Sequence, residues 1–504
     1  MMRHALLDYH RRQITRKAWR DLPHFCAELE ARDQLKRVGQ VVSPALEITG
    51  LCRHALLNAG PALLFEQAQG SGVPVLGNLF GSEARILAAL ELDTRADLRG
   101  LGQNLAFLRS PSMPDSLKSA LDHAPEFARL AHVTPVQKRT APWQEQLIEG
   151  PDVDLEALPI STCWPGDAGP LITFGMVITR GPRQARVNLA IYRQQLLERN
   201  KLIMRWLPHR GGAQDYREFQ QRHPGRPFPV AVVIGADPAT LLAAVTPIPD
   251  TLSEYQFAAL LRGRRSQVVD ATLTGLPIPR GAEIVLEGHI NPGETALEGP
   301  FADHTGYYNA TAEFPVFTVE RISQRAQPLY LTTYMGRPGE DEPSVLAAAL
   351  NEMFIPLLQA QYPEVVDFYL PPSACSYRVA IVSIRKQYPG HARRVMFGIW
   401  SWLRQFTYTK TIIVTDEDID IRNWKDVIWA VSTRADPVRD TVLIENTPID
   451  YLDFASPEPG LGGKMGIDAT HKIGPESKRS WGRVASVDKE TLARVADLAR
   501  ELGL

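Results

Sequence analysis

Apolar positions change rhythm along this chain, and each rhythm predicts a different kind of element. Residues 22–130 carry mostly helical periodicity. Two short apolar runs interrupt it, Pro61-Ala-Leu-Leu-Phe65 and Val73-Pro-Val-Leu-Gly77, and read as buried strands. Pro111, Pro114 and Pro125 mark residues 109–126 as a boundary region. From about residue 131 to 336 the pattern turns to short apolar runs at 171–179, 228–234, 283–290, 316–322 and 329–334. Gly/Pro clusters at 166–170, 224–227 and 276–279 separate them, as expected for a barrel or sandwich. One helical insertion is predicted over Leu252–Arg262, with Leu252, Tyr255, Ala259 and Leu260 on its apolar side. From about residue 337 helical and strand patterns alternate: helix 345–361, strand 366–370, strand 378–383, helix 391–405, strand 410–415 and helix 424–430. Such alternation predicts a mainly parallel sheet.

The expected class is therefore α+β or α/β and multidomain. Residues 1–130 form a helix-rich α/β region, 131–336 a β domain and 337–504 an α/β domain. A length of 504 residues needs two or three cores of this size. Composition adds exclusions more than identity. The hydrophobic fraction is 44% and the net charge −2, so nothing global points to nucleic acid. The 4 cysteines lie far apart, without a C-x-x-C pair, so neither a zinc knuckle nor a disulfide framework is indicated, and a reducing cytoplasm fits. No apolar run reaches the ~18 residues of a membrane span. The basic N-terminus (Arg3, Arg11, Arg12, Arg16, Lys17, Arg20) could touch an anionic membrane surface such as the inner membrane, or be a solvated helical extension.

Candidate chemistry concentrates in Glu298-Gly-Pro-Phe-Ala-Asp-His-Thr-Gly-Tyr-Tyr308. Glu298 and Asp303 stand five residues apart, and Gly299, Pro300 and Gly306 shape the segment as a loop rather than a helix. Tyr307 and Tyr308 offer apolar area that could exclude water and raise a carboxylate pKa. Two acids in different settings are what acid/base chemistry requires. Two other acidic or glycine-rich stretches carry less. Asp416-Glu-Asp-Ile-Asp420 lacks EF-hand spacing and reads as a solvated strand-to-helix turn. Gly460-Leu-Gly-Gly-Lys-Met-Gly466 lacks the Walker spacing and reads as a flexible cap or tail.

Three further segments, Asn188-Leu-Ala-Ile-Tyr-Arg193, Lys201-Leu-Ile-Met-Arg-Trp-Leu-Pro-His-Arg-Gly-Gly212 and Thr251-Leu-Ser-Glu-Tyr255, follow in order. With the Glu298 segment they make the chain resemble the UbiD family of decarboxylases, from about Asp21 to Arg483. The resemblance implies an N-terminal α/β region, a central flavin-reductase-like split β-barrel and a C-terminal α/β oligomerisation domain. It implies prenylated FMN as cofactor, supplied by a flavin prenyltransferase, and assembly into dimers or hexamers. The absence of a GxGxxG fingerprint agrees with a non-Rossmann flavin site.

Residue by residue, the resemblance implies that Ile191, Tyr192, Arg193, Arg205, Trp206, Leu207, Arg210 and Gly211 contact the cofactor. Asn188, His209 and Glu254 would hold a divalent metal on its phosphate. An amide oxygen, an imidazole and a carboxylate suit Mn2+ or Mg2+. Glu254 reads equally as a helix-terminal acid, and Asn188 and His209 as ordinary turn or loop residues. A K+ or Na+ ion on carbonyls of 243–246 is implied as well. Arg193, Glu298 and Asp303 are the implied catalytic set: Arg193 binds the substrate carboxylate or pairs with Glu298, and Asp303 protonates the ring carbon. The implied reaction converts a 3-polyprenyl-4-hydroxybenzoate to a 2-polyprenylphenol and carbon dioxide, in ubiquinone biosynthesis. The alternatives are a family (de)carboxylase of a small phenolic acid and a flavin-binding oxidoreductase or binder.

Overall fold

The computed structural model describes residues 19–109, 133–182, 187–246, 248, 252–402 and 404–503. Most of the basic N-terminus, nearly all of the 109–126 boundary and Thr251 lie outside the described residues.

Among the described residues the strands form four sheets, of four, nine, three and five strands. The first is N-terminal. Leu35–Val42 pairs in parallel with Ala62–Ala68, which pairs antiparallel with Val75–Gly77. The fourth strand, Tyr330–Leu331, arrives from far along the chain and pairs in parallel with Val75–Gly77. The run at 329–334 thus belongs to the N-terminal sheet and not to the central one. Leu35–Val42 escapes sequence reading because its middle, from Lys36 to Val41, is polar or exposed except at Val38.

The nine-stranded sheet is antiparallel and open at both ends among the described residues. Its spine is the antiparallel pair Ile284–Glu298 and Ala312–Gln324, which runs from Ile284 opposite Gln324 to Glu298 opposite Ala312 with register shifts between Glu287 and Gly288 and between Ile290 and Thr295. Phe228–Ile234 flanks it on one side, and the hairpin of Gln194–Glu198 with Lys201–Met204 on the other. Their inward residues Phe228, Val230, Val232, Leu286, Phe317 and Val319 make one dry core. Three helices decorate this sheet. Pro238–Val245 starts at Asp237, whose side chain caps Thr240 N–H. Glu254–Arg262 starts with a Ser253/Gln256 capping box. Gly211–Arg222 follows Arg210.

The C-terminal sheet runs in the order Val365–Tyr369, Val379–Ile384, Thr411–Asp416, Leu461–Ala469, Thr441–Pro448. The three inner strands are parallel and both edges antiparallel. Two sequence expectations are corrected here. The glycine-rich 460–466 stretch is no flexible cap: it opens the strand Leu461–Ala469, and Gly466 lets the Met396 sulfur sit where a Cβ would be. Asp416 is no solvated turn residue either. It is buried, and its carboxylate takes hydrogen bonds from Arg434 and His471. Among the described residues no helix is long and apolar enough to cross a membrane.

Candidate active site

The hairpin that joins Gln194–Glu198 to Lys201–Met204 sets Met204 opposite Gln194. Its open end therefore places Arg193 beside Arg205, and the Arg205 N–H bonds the Arg193 carbonyl at 3.3 Å. Two guanidinium groups on adjacent strands need anions, and the strand beyond Ala312–Gln324 supplies one. Glu298, fully buried at the end of Ile284–Glu298, accepts Arg193 Nε at 2.7 Å and Nη2 at 3.1 Å. It also accepts Arg205 Nη1 at 3.0 Å. The chain then leaves the sheet. Gly299 and Gly306, at φ +89° and +81°, give the loop a left-handed backbone that a side chain would strain. Its tight turn closes by Asp303 N–H to the Tyr307 carbonyl, 3.1 Å, and Gly306 N–H to the Asp303 carbonyl, 2.9 Å.

This turn points Asp303 back at Arg193, whose Nη1 donates to Asp303 Oδ2 at 2.9 Å. Asn309 fastens the loop by accepting Phe301 N–H at 3.1 Å and Arg193 Nη2 at 2.8 Å. Phe301 is buried beneath the Arg193 guanidinium, 5.3 Å from the ring centre. Phe301 supplies the dryness expected of Tyr307 and Tyr308. That expectation is corrected: Tyr307 is 66% and Tyr308 42% exposed. Gly299 and Gly306 turn the loop outward after Asp303, and Tyr308 uses its hydroxyl to accept Gly166 N–H.

Arg193, Arg205 and Asp303 line a cavity of about 450 Å³. Ile191, Tyr192, Leu207, His209 and Arg210 also line it, which gathers most of the expected cofactor contacts on one wall. Trp206 and Gly211 are not on that wall. The Trp206 indole is buried in the core against Tyr192, Tyr216 and Phe228. Gly211 works from behind: a Cβ there would meet Asn188 Oδ1 at 2.1 Å, so only glycine lets the helix start this close to the amide. Asn188 and Glu254 are neighbours, since Glu254 accepts the N–H of Leu189 at 3.2 Å from the first turn of its helix. No group of three His, Cys, Asp or Glu is gathered for a metal among the described residues. The expected set with His209 differs in using an amide oxygen.

Sequence reading missed a second layer. His304 Nδ1 lies 2.8 Å from Asp303 Oδ1, and Nε2 lies 3.0 Å from Asp450 Oδ2. Asp450 follows the edge strand Thr441–Pro448 and also accepts the Tyr377 hydroxyl at 3.0 Å. Tyr451 is hydrogen-bonded to Arg205. The C-terminal domain thereby completes the wall that the central sheet begins. His304 was visible inside the loop motif, but nothing local marks Asp450 or Tyr451.

The charges respond to this packing. Burial pushes Glu298 up to about 7, against the pull of Arg205. Burial alone would raise Asp303 too, but its hydrogen bond and charge pairing with His304, with Arg205 behind, hold it below the usual carboxylate range. His304 would be lowered by burial, yet Asp303 and Asp450 lift it to about 9. The result is two acids with opposite shifts beside a cationic wall.

The chain matches the models of all three domains of the 3-octaprenyl-4-hydroxybenzoate carboxy-lyase family, UbiD: the N-terminal domain over 26–105, the Rift-related domain over 134–338 and the C-terminal domain over 344–469. Solved structures agree. Vanillic acid decarboxylase of Sedimentibacter hydroxybenzoicus, in closed form, is 28% identical with a TM-score of 0.83, covering 97% of this chain and 100% of its own. The UbiD-class enzyme HmfF of Pelotomaculum thermopropionicum, in complex with FMN, is 29% identical with a TM-score of 0.78, covering 94% and 99%. An evolved dimeric form of that enzyme, in complex with prFMN, is 28% identical with a TM-score of 0.75, covering 95% and 100%. The buried arginine–carboxylate cluster and the three-domain match lead to one assignment: this chain belongs to the UbiD family of carboxy-lyases.

Proposed function

We propose that the chain decarboxylates an aromatic acid, a 3-polyprenyl-4-hydroxybenzoate, to the 2-polyprenylphenol, using prenylated FMN and a divalent metal. The observation that carries this reading is the pairing of Arg193 with both Glu298 and Asp303 at a cavity wall. The residues present suit the cofactor. Ile191, Tyr192 and Leu207 give apolar surface, and Arg210 and His209 give polar and cationic groups beside a helix N-terminus. Asn188, packed against Gly211, and Glu254, on the Leu189 N–H, offer two oxygen donors of the type Mn2+ or Mg2+ takes, and His209 would be the third ligand. When bound, the prenylated flavin supplies the electron sink for loss of carbon dioxide.

The chain supplies position and charge. Arg193 and Arg205 present cations to the substrate carboxylate. Glu298 is not on the cavity wall and spends both oxygens on guanidinium groups, so it holds Arg193 in place. Asp303 does line the cavity, paired with Arg193, and takes the role of proton donor to the ring carbon. The exposed stripe Leu492, Val495, Leu498 and Leu502 on the last helix, Lys489–Leu502, supports homo-oligomer assembly through the C-terminal domain.

Protein produced beside an active flavin prenyltransferase should carry prenylated FMN by mass and release carbon dioxide from 3-prenylated 4-hydroxybenzoates. Protein produced without it should be inactive. Carbon dioxide release from cofactor-free protein in chelator would end this reading. A second reading, a small phenolic acid as substrate, is favoured by the likeness to vanillic acid decarboxylase. Turnover confined to unprenylated acids would select it, and nicotinamide oxidation alone would discard both.

The metal reading has its own test. Glu254→Gln keeps shape but removes an anionic ligand, so metal by elemental analysis and flavin by absorbance should both fall with the fold intact. Unchanged metal content would assign Glu254 a structural role at its helix terminus and on the Leu189 N–H.

A further inference from the structure

Both ring nitrogens of His304 face carboxylate oxygens, Asp303 Oδ1 at 2.8 Å and Asp450 Oδ2 at 3.0 Å. An ionised carboxylate only accepts hydrogen bonds, whereas a neutral imidazole has one N–H and one lone pair. A neutral ring would set its lone pair against one of two buried acids. The geometry therefore calls for a proton on each nitrogen. Asp303, by contrast, has donors on both oxygens: Arg193 Nη1 on Oδ2, and the His304 backbone N–H and ring on Oδ1. A carboxylate so surrounded keeps no proton of its own. Yet each turnover consumes one proton at the ring carbon.

We propose that His304 stores this proton and passes it through Asp303, and that Asp450, reaching in from the C-terminal domain, keeps the imidazolium charged. The inference rests on the decarboxylase reading above, with Asp303 facing the ring carbon. The step balances. The bond to the carboxyl carbon breaks and carbon dioxide leaves. The Nδ1 proton moves to Asp303 Oδ1, and Asp303 delivers a proton to the ring carbon, so the bonding pair ends in a C–H bond. Neutral His304 remains, with its Nε2–H on Asp450. One proton from water restores the imidazolium, and no oxidant or reductant is needed.

The surroundings support the stored charge. Asp303 and Asp450 face the ring directly; Asp341 lies within electrostatic reach. Tyr377 and Arg378 meet the same Asp450 oxygen as His304, Oδ2, and Arg205 stands 3.9 Å from Asp303. The two acids prevail over burial and lift the imidazole to about 9. His304 acts through Asp303 and is a positioning residue, so its test needs readouts that a structural role would leave alone.

The first is ¹⁵N NMR of labelled histidines in the cofactor-free protein, with His304 assigned by loss of its signal in His304→Gln. His304 should remain an imidazolium at pH 8, and Asp450→Asn should lower its titration by about one unit or more. The second is turnover of the loaded enzyme. His304→Gln should lower kcat by about 10²-fold at unchanged KM, and added imidazole should restore part of the activity of His304→Gly. A wild-type His304 signal that titrates near the ordinary ~6.5, or a His304→Gln enzyme with wild-type kcat, overturns the proposal. If the glutamine and glycine variants do not fold, His304 is assigned as the histidine signal that Asp450→Asn moves, and its titration decides the proposal. Loaded wild-type protein that releases no carbon dioxide from any aromatic acid overturns the decarboxylase reading and this one with it. Wild-type turnover thus tells the two failures apart.

Discussion

Arg193→Lys is expected to lower decarboxylation by about 10²-fold or more, although the charge is kept. Arg193 makes four hydrogen bonds at once, two to Glu298, one to Asp303 and one to Asn309. A planar guanidinium reaches four acceptors in fixed directions. An ammonium has three donors at one point and cannot span Glu298 and Asp303 together. The loop from Gly299 to Tyr308 would lose the tie that aims Asp303 into the cavity. Arg193→Met should do more. It leaves the fully buried Glu298 with Arg205 as its one remaining cation, and removing one partner of a buried pair costs about 3–5 kcal/mol. Thermal melts should show that loss for Met and a smaller one for Lys. Wild-type kcat in Arg193→Lys would show that charge alone suffices, and would remove the positioning role given to this fork.

Much of this site was readable before the structure, and the reason is local. Glu298, Asp303, Gly299 and Gly306 sit in one loop, so spacing and turn chemistry reveal them together. Arg193 and Arg205 flank one hairpin, again a local arrangement. Asp450 and Tyr451 are different. They lie far along the chain from His304 and Arg205, and only the packing of the C-terminal domain against the central sheet brings them in. An Asp-Tyr pair after an edge strand has no local signature. The same limit holds for exposure and burial. Exposure of Tyr307 and Tyr308 depends on where the loop turns, and burial of Trp206 on Tyr216 and Phe228 reaching it from other elements. Strand 461–469 was hidden because glycines that look flexible in sequence are there to admit Met396 and close neighbours. The alternating helices and strands after residue 337 were legible because each apolar run is long enough to show its period.

The roles of the two carboxylates make the sharpest remaining test. Asp303→Asn should cut turnover by about 10²–10⁴-fold, the usual contribution of a positioned proton-transfer group. The amide keeps the shape of the side chain, but it cannot take a proton from His304 and pass one on. Flavin should still bind, because Asp303 bonds Arg193 and His304 and none of the residues assigned to the phosphate. Glu298→Gln should behave otherwise. Its carboxylate holds Arg193 in a two-point grip and Arg205 in a third bond. A neutral amide can accept only through its oxygen, so one guanidinium contact becomes a donor facing a donor. Substrate placement should then suffer with turnover, seen as a raised KM beside a lowered kcat. The pH profile adds a sign. Glu298 is pushed up to about 7, so the wild-type arginine grip should weaken as pH falls through 7, and activity should decline on that acid side. Glu298→Gln should lose this limb. The deciding measurement is solvent deuterium entering the product ring in a single turnover. Slow incorporation in Asp303→Asn with faster incorporation in Glu298→Gln is the expected result. The reverse order would make Glu298 the group that serves the ring carbon, and would leave Asp303 as its support.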